Sequence, residues 1–349
     1  MTEVSAPLAL NELEARIDRL PRERIAVLPT GLQPLPRLAA MTGVERFYVK
    51  RDDLTGVGLG GNKSRGMEFI LGEARAKNCD ILVAGGGTEQ SNHAVQCAAS
   101  GCRVGMDVVV VLQRRPGARA NGNALLRDLF GARTVWVESD PHLRDRTSSG
   151  ATMRAIAEEL QQAGRRPYVL ESSLHPLSVI AYVKAVLELR DQLPTWNLST
   201  RIYVTSEGAA LGGLLLGTRL LGLPWEIIGL DWRPEVEGTA TRLHHLIGEA
   251  AALLGLANPV EEAEIVILSC GGPEYGVGRP DSWSALVTAA RLEGLILDPV
   301  YTSKGLAGVL GDLKARPFTT GPVVFVHTGG VAALFAYEHD LRNHLASVG

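Results

Sequence analysis

The chain has 349 residues, 46% of them apolar and 21% charged, with a net charge of -3 spread over interspersed acids and bases. That length and balance support a buried core without covalent staples, in one large or two medium domains. They argue against a nucleic-acid partner, which calls for a basic stripe, and no apolar run is long enough to span a bilayer. The N-terminal stretch MTEVSAPLALNELEARIDRL carries acids and lacks a basic segment leading into an apolar one, so no secretory signal is read there. The four cysteines form no CxxC pair; they are expected to be thiols in a reducing, cytoplasmic setting, with no metal.

In chain order, short β-branched runs alternate with helical stretches. Strands are predicted at 81–84, 108–112, 134–137, 168–170, 202–205, 227–230, 265–268 and 323–327, several of them continuously apolar as in strands covered on both faces. Helices are predicted at 63–77, 91–101, 122–130, 151–163, 177–192 and 282–294. The alternation predicts an α/β fold with open, mostly parallel sheets flanked by helices. In such sheets ligands bind beyond the carboxyl ends of the strands, so the glycine-rich strand-to-helix joins are the places to look.

Four joins stand out. Lys63 follows Gly60-Gly61-Asn62 and opens a helix; a lone lysine there is ordinarily solvated, but partial burial and a helix N-terminus would lower its pKa and suit it to react with a carbonyl. At 83–93 a strand runs through Gly85-Gly86-Gly87 into Ser91-Asn92-His93, which reads either as plain helix capping or as a cradle for a substrate carboxylate. At 204–213 a similar turn ends in Ala210-Leu211-Gly212-Gly213; it is neither a Walker A loop nor a dinucleotide fingerprint, and reads as a tight turn or a phosphate site. The C-terminal region holds Tyr275 and Tyr301 in Gly/Pro-rich loops, and Thr328 before Gly329-Gly330 at the end of an apolar strand. Each signal is weak alone.

Together the segments KRDDLTG, GGNKSR, QSNH, NGNALL, LDPVYTSK and HTGG, in that order over nearly the whole chain, resemble the D-cysteine desulfhydrase and 1-aminocyclopropane-1-carboxylate (ACC) deaminase family of pyridoxal 5′-phosphate (PLP) enzymes. This is the fold-type II, tryptophan-synthase β-like group. The resemblance implies that Lys63 is the Schiff-base lysine and that Asn92 bonds the PLP ring hydroxyl. It also implies that Ser91, Asn92 and His93 hold the substrate carboxylate and that Ala210, Leu211, Gly212 and Gly213 form the phosphate cup. Tyr275 and Tyr301 match the active-site tyrosines, and Thr328 the residue facing the pyridine nitrogen. A discontinuous large domain (1–60 and 177–349), a small domain (61–176), PLP in the cleft between them, and a homodimer are the family's expectation.

Family ACC deaminases carry Glu after the DPVY tyrosine and Leu in the HxGG segment, whereas this chain has Thr302 and Thr328. A carboxylate near the pyridine nitrogen strengthens the ring as an electron sink, and a hydroxyl does so less. The expected reaction is therefore α,β-elimination from a small β-substituted amino acid such as D-cysteine, with Lys63 as α-proton base and a tyrosine as acid–base partner. ACC ring opening, β-replacement and a non-catalytic amino-acid-binding role are the alternatives; the last would predict loss of Lys63 or of both tyrosines. Departures from the family pattern are Ala210 in place of Thr, Glu207 in the phosphate turn, Arg65-Gly66-Met67, and Gly87-Thr88-Glu89-Gln90 ahead of Ser91.

Overall fold

The computed structural model describes residues 6–114, 120–138, 147–233, 236–272 and 276–348. These form ten strands: β1 (Leu32–Pro34), β2 (Phe47–Lys50), β3 (Ile81–Gly85), β4 (Asp107–Gln113), β5 (Arg133–Val137), β6 (Pro167–Leu170), β7 (Thr200–Val204), β8 (Trp225–Asp231), β9 (Val266–Ser269) and β10 (Val323–Val326). The α-helices are α1 (Leu10–Ile17), α2 (Pro36–Thr42), α3 (Lys63–Ala76), α4 (Asn92–Val104), α5 (Asn123–Leu129), α6 (Thr147–Gln162), α7 (Pro176–Gln192), α8 (Ala209–Leu220), α9 (Thr239–Leu253), α10 (Pro280–Glu293), α11 (Thr302–Ala315) and α12 (Glu338–Val348). No described helix is long and apolar enough to cross a membrane.

Two sheets organise the chain. One has the order β1-β2-β10-β7-β8-β9 and the other β5-β4-β3-β6. Every pairing is parallel except β1 with β2. All eight strands expected from the sequence are present. β1 and β2 were not foreseen: β1 contains a proline and has one partner, as edge strands tolerate, and β2 is a four-residue run ending in a lysine.

The continuous apolar runs lie where both sheet faces are covered. Every residue of β3, β7 and β10 is buried. Helices α7 and α8 pack closely against each other because glycine lies at their contact: a Cβ on Gly213 would lie 2.2 Å from the Val179 carbonyl oxygen. The parallel strands bring the turns after β7 and β10 side by side, since Val204 and Val326 are register partners.

Candidate active site

The segment leading into α3 is fastened from several directions. Gly61 forms an antiparallel bridge with Gly329, and the Asn62 N–H donates to the Thr328 carbonyl at 2.9 Å. The backbones touch so closely that a Cβ on Gly329 would sit 2.5 Å from the Gly61 Cα. The Gly61 N–H donates to the Thr55 hydroxyl at 2.8 Å. The Gln96 amide donates to the carbonyls of Val57 (2.9 Å) and Gly60 (3.0 Å), and its oxygen accepts from Ser64. Lys63 is thus the half-buried first residue of a helix whose start is held against the HTGG loop.

Beneath that helix lies a buried charge network that gives the KRDD segment a structural task. Arg65 donates to Asp52 at 2.7 and 2.9 Å and to Glu188 at 2.8 Å. Lys50 donates to Glu188 and Gln192, both at 2.8 Å, and to the Thr30 carbonyl at 2.7 Å. Tyr182 donates to Asp52 at 2.6 Å. Two cations and two carboxylates balance. Although burial opposes them, their cationic neighbours hold the Asp52 and Glu188 carboxyls below their ordinary pKa.

After β3, Ser91 is the N-cap of α4: its hydroxyl accepts from the Ala94 N–H at 3.2 Å. Both readings of the segment stay open for Ser91, whose side chain does at least the capping. Asn92 opens the helix, and its Oδ1 accepts from the Asn123 amide at 2.5 Å. That bond fixes the orientation of Asn92, leaving its NH2 group toward Gly330. Gly330 has φ +86°, and a Cβ there would lie 2.4 Å from Asn92 Nδ2 and 3.1 Å from Asp298 Cγ. His93 lies one turn before Cys97, its ring nitrogens 3.6 and 3.7 Å from the thiol sulfur. Burial pushes the Cys97 thiol up to about 12, against the pull of the nearby Lys63 charge.

Asp298 organises the tyrosine side. Its fully buried carboxylate accepts from the N–H groups of Val300 and Tyr301 at 2.9 Å and of Thr302 at 2.8 Å, and from the Thr302 hydroxyl at 2.6 Å. The Thr302 hydroxyl also accepts from the Asp298 N–H at 2.8 Å. Thr302 is therefore committed to holding the start of α11. Tyr301 is the N-cap residue of that helix and meets the Trp232 ring edge-on, with centroids 6.3 Å apart. Burial raises the Asp298 pKa in spite of these donors. Tyr275 lies outside the described residues. In the HTGG loop, His327 accepts from the Gly329 N–H at Nδ1 (3.2 Å), so its Nε2 donates to the Ile296 carbonyl (2.8 Å).

The turn after β7 runs into the N-terminus of α8. The first intrahelical bond comes from the Gly212 N–H to the Gly208 carbonyl at 2.9 Å, which leaves the amides of Ala209, Ala210 and Leu211 as the open donors. This refines the expectation for the four residues Ala210–Gly213. Gly212 has spent its N–H inside the helix, and Gly213 serves the α7–α8 contact. Glu207 lies within the field of Arg233, whose main partner is Asp231 at 2.6 Å.

The structure brings Lys63, Asn92 and Thr328 together as walls of one cleft, along with Gln96, Asn123 and Gly330. Tyr301 stands behind it through Asp298, and the α8 turn lies at the neighbouring strand end. Asn123, Gln96, Asp298 and Gly330 had no role in the sequence reading, although Asn123 sits in the NGNALL segment and Asp298 in LDPVYTSK. Gln96 and Asn123 find their partners on distant segments, and Asp298, bonded within its own turn, meets Gly330 only across the fold, so side-chain type alone did not mark them.

These residues fit a phosphorylated pyridine aldehyde: a half-buried amine, an oriented amide, a cleft wall without a Cβ at Gly330, and a helix N-terminus with open amides. The comparisons agree on the class. Residues 24–329 match the family model described as pyridoxal-phosphate dependent enzyme, and the chain belongs to that family. It is 34% identical to the D-cysteine desulfhydrase of Klebsiella pneumoniae, over 93% of this chain and 98% of that protein. It is 33% identical to a Pyrococcus abyssi protein provisionally named 1-aminocyclopropane-1-carboxylate deaminase, over 95% and 98%. A solved ACC deaminase homologue superposes with a TM-score of 0.87 at 31% identity, covering 96% of this chain and all of that one. The fold is that of the type II PLP enzymes, and PLP is the cofactor.

Proposed function

We propose that the protein catalyses α,β-elimination on a small β-substituted amino acid such as D-cysteine, yielding an α-keto acid, ammonia and the leaving group. The observation that carries this reading is the single cleft walled by Lys63, Asn92 and Thr328. PLP, when bound, supplies an electron sink that acidifies the α-hydrogen and lets a β-substituent depart.

The chain's own residues would divide the work as follows. Lys63 would hold the cofactor through its Nζ and, as a free amine, would take the α-proton of the substrate. Asn92, its NH2 turned inward by Asn123, donates to the ring hydroxyl. The first amides of α8, at Ala209, Ala210 and Leu211, bind the phosphate through the helix's positive end. Thr328 supplies an uncharged partner to the pyridine nitrogen. Ser91, Asn92 and His93 orient the substrate carboxylate, and Tyr301 or Tyr275 donates a proton to the departing group. The two sheets correspond in this reading to two domains, 1–60 with 177–349 and 61–176, closing on the substrate, in a homodimer.

A second reading, ring opening of ACC to 2-oxobutyrate and ammonia, is favoured by the names of the Pyrococcus relative and the solved homologue. Against it, Thr302 carries no carboxylate and its hydroxyl is spent on Asp298. The test is twofold. The purified protein should be yellow, and Lys63→Ala should lose the covalent visible absorbance; a wild type left colourless after PLP addition sinks the reading. A panel of D- and L-amino acids with β-leaving groups, run beside ACC, should then give keto acid and ammonia from the former. Keto acid from ACC alone would reverse the choice, and a nucleophile-dependent amino-acid product would make β-replacement the right label.

A further inference from the structure

His327 is fully buried just past the end of β10, where its backbone N–H donates to the Lys50 carbonyl at 3.0 Å. Both ring nitrogens are engaged, and their partners fix the state of the ring. Nδ1 meets the Gly329 N–H at 3.2 Å, so it must accept. Nε2 meets the Ile296 carbonyl at 2.8 Å, so it must donate. The ring therefore carries its one proton on Nε2. The Asp53 carboxylate, 3.9 Å from Nε2 and held by Arg51 at 2.7 Å, favours the proton on that side.

The two bonds reach opposite sides of the site. The bond to Gly329 closes a turn of the kind that Asn side chains make with the N–H two residues on, and Thr328 lies at its centre. The segment before Lys63 leans on that turn: the Thr328 carbonyl accepts from the Asn62 N–H at 2.9 Å, and Gly329 bridges Gly61. The bond to Ile296 tethers the irregular stretch between α10 and α11. Two residues further along that stretch is Asp298, which accepts from the N–H groups of Tyr301 and Thr302. Its Cγ lies 3.1 Å from where a Cβ on Gly330 would be. Residues 296–298 thus run beside 327–330, with the imidazole bonded to both. We propose that His327 is a positioning residue, a two-ended strut that sets Thr328 and the Lys63 segment against the tyrosine segment. It is buried and does not line the cleft, so it acts through the groups it holds. The inference rests on the function proposed above, which gives Thr328 and Tyr301 their roles.

An amide can supply one end of the strut but not both: Asn offers an acceptor close to the backbone, Gln a donor farther out. The test compares the holoenzyme as wild type, His327→Asn, His327→Gln and His327→Leu. Three quantities are read: the visible band of bound PLP, the affinity for PLP, and kcat and KM on the member of the amino-acid panel that the wild type turns over fastest. His327→Asn should keep the band and the affinity while kcat falls about tenfold with KM little changed, because only the tyrosine segment is released. His327→Gln should shift the band and lower the affinity for PLP at least tenfold, because Thr328 and the Lys63 segment are released. His327→Leu should show both losses; should it fail to fold, the Asn and Gln variants carry the test, since each keeps one bond. Variants with a lower Tm but the wild-type band, affinity and kcat would reduce His327 to a packing residue. Identical defects in the Asn and Gln variants would show that the two bonds do not serve separate sides; either result overturns the proposal. A wild type that forms no covalent absorbance with PLP defeats the functional reading itself, whereas a yellow, active wild type with unaffected variants defeats this inference alone.

Discussion

Arg65 and Asp52 face each other in a fully buried pair with two hydrogen bonds, 2.7 and 2.9 Å long, only two residues into the helix that starts at Lys63. The pair ties the proposed reactive lysine to the end of β2, and through Glu188 to α7. Asp52→Asn keeps the shape and removes one charge, leaving the network with a net positive charge in the interior. Loss of about 3–5 kcal/mol of stability is expected, the usual cost of breaking one side of a buried ion pair. Urea denaturation at neutral pH measures it, and a loss below about 1 kcal/mol would show that charge balance is not what the network provides.

The same network sets a response to acid. Asp52 and Glu188 have folded-state pKa values below their ordinary 3.8 and 4.5. The unfolded chain therefore takes up protons before the folded one does. The stabilisation is fully present above the ordinary values and drains away as pH falls below them toward the depressed folded values. The urea midpoint should be insensitive to these groups above about pH 5 and fall below it. Glu188→Gln, weaker at neutral pH, should show a shallower fall. Asp298 works in the opposite sense because burial raises its pKa, so Asp298→Asn should leave the acid limb attributable to Asp52 and Glu188 intact.

Gly330→Ala tests the cleft wall. The added methyl would press on Asn92 Nδ2 at 2.4 Å in a backbone conformation with φ +86°. The left-handed strain alone costs about 1–2 kcal/mol, and Asn92 must move. Affinity for PLP should fall at least tenfold, with a lower Tm. Unaltered PLP binding in the variant would mean that Asn92 is not in contact with the cofactor.

Asn123→Ala removes the 2.5 Å bond that orients Asn92. The folded state should lose about 1–3 kcal/mol from the stranded acceptor. The diagnostic effect is spectroscopic: the visible band of the bound cofactor should shift, and kcat should fall about tenfold with KM little changed, as for loss of alignment rather than of binding. A drop in Tm with an unshifted band would reduce Asn123 to a structural residue.

The parallel sheets were legible because strands covered on both faces must be apolar throughout, as 108–112 and 323–326 are. β1 and β2 were not, since a three-residue edge strand with a proline and a short run ending in Lys50 carry no periodic signal. Lys63, Asn92 and Thr328 could be picked out only jointly, by the order of short motifs; each by itself reads as an ordinary cap or turn residue. Asn123 was invisible as a site residue because its significance is a contact with Asn92 on another helix, and Asp298 because its bonds within the turn into α11 say nothing of the Gly330 backbone it lies against. The resemblance places Gly213 in the phosphate cup, and the structure adds a second demand on it, the Val179 carbonyl 2.2 Å from where its Cβ would be. Glycine needed for helix approach and glycine needed for ligand approach look the same in a sequence.

Strand β10, the latest in sequence among the described residues, sits between β2 and β7 in the middle of its sheet. A nascent chain that has emerged only as far as α11 carries Lys63, Asn92 and Tyr301 but has a gap one strand wide, with two unsatisfied strand edges open to wrong partners. The Gly61–Gly329 bridge cannot form, and neither Thr328 nor Gly330 is in place. Synthesis thus leaves the site unmade until β10 has emerged, and uptake of cofactor would act as a proofreading signal that the closing strand has found its slot.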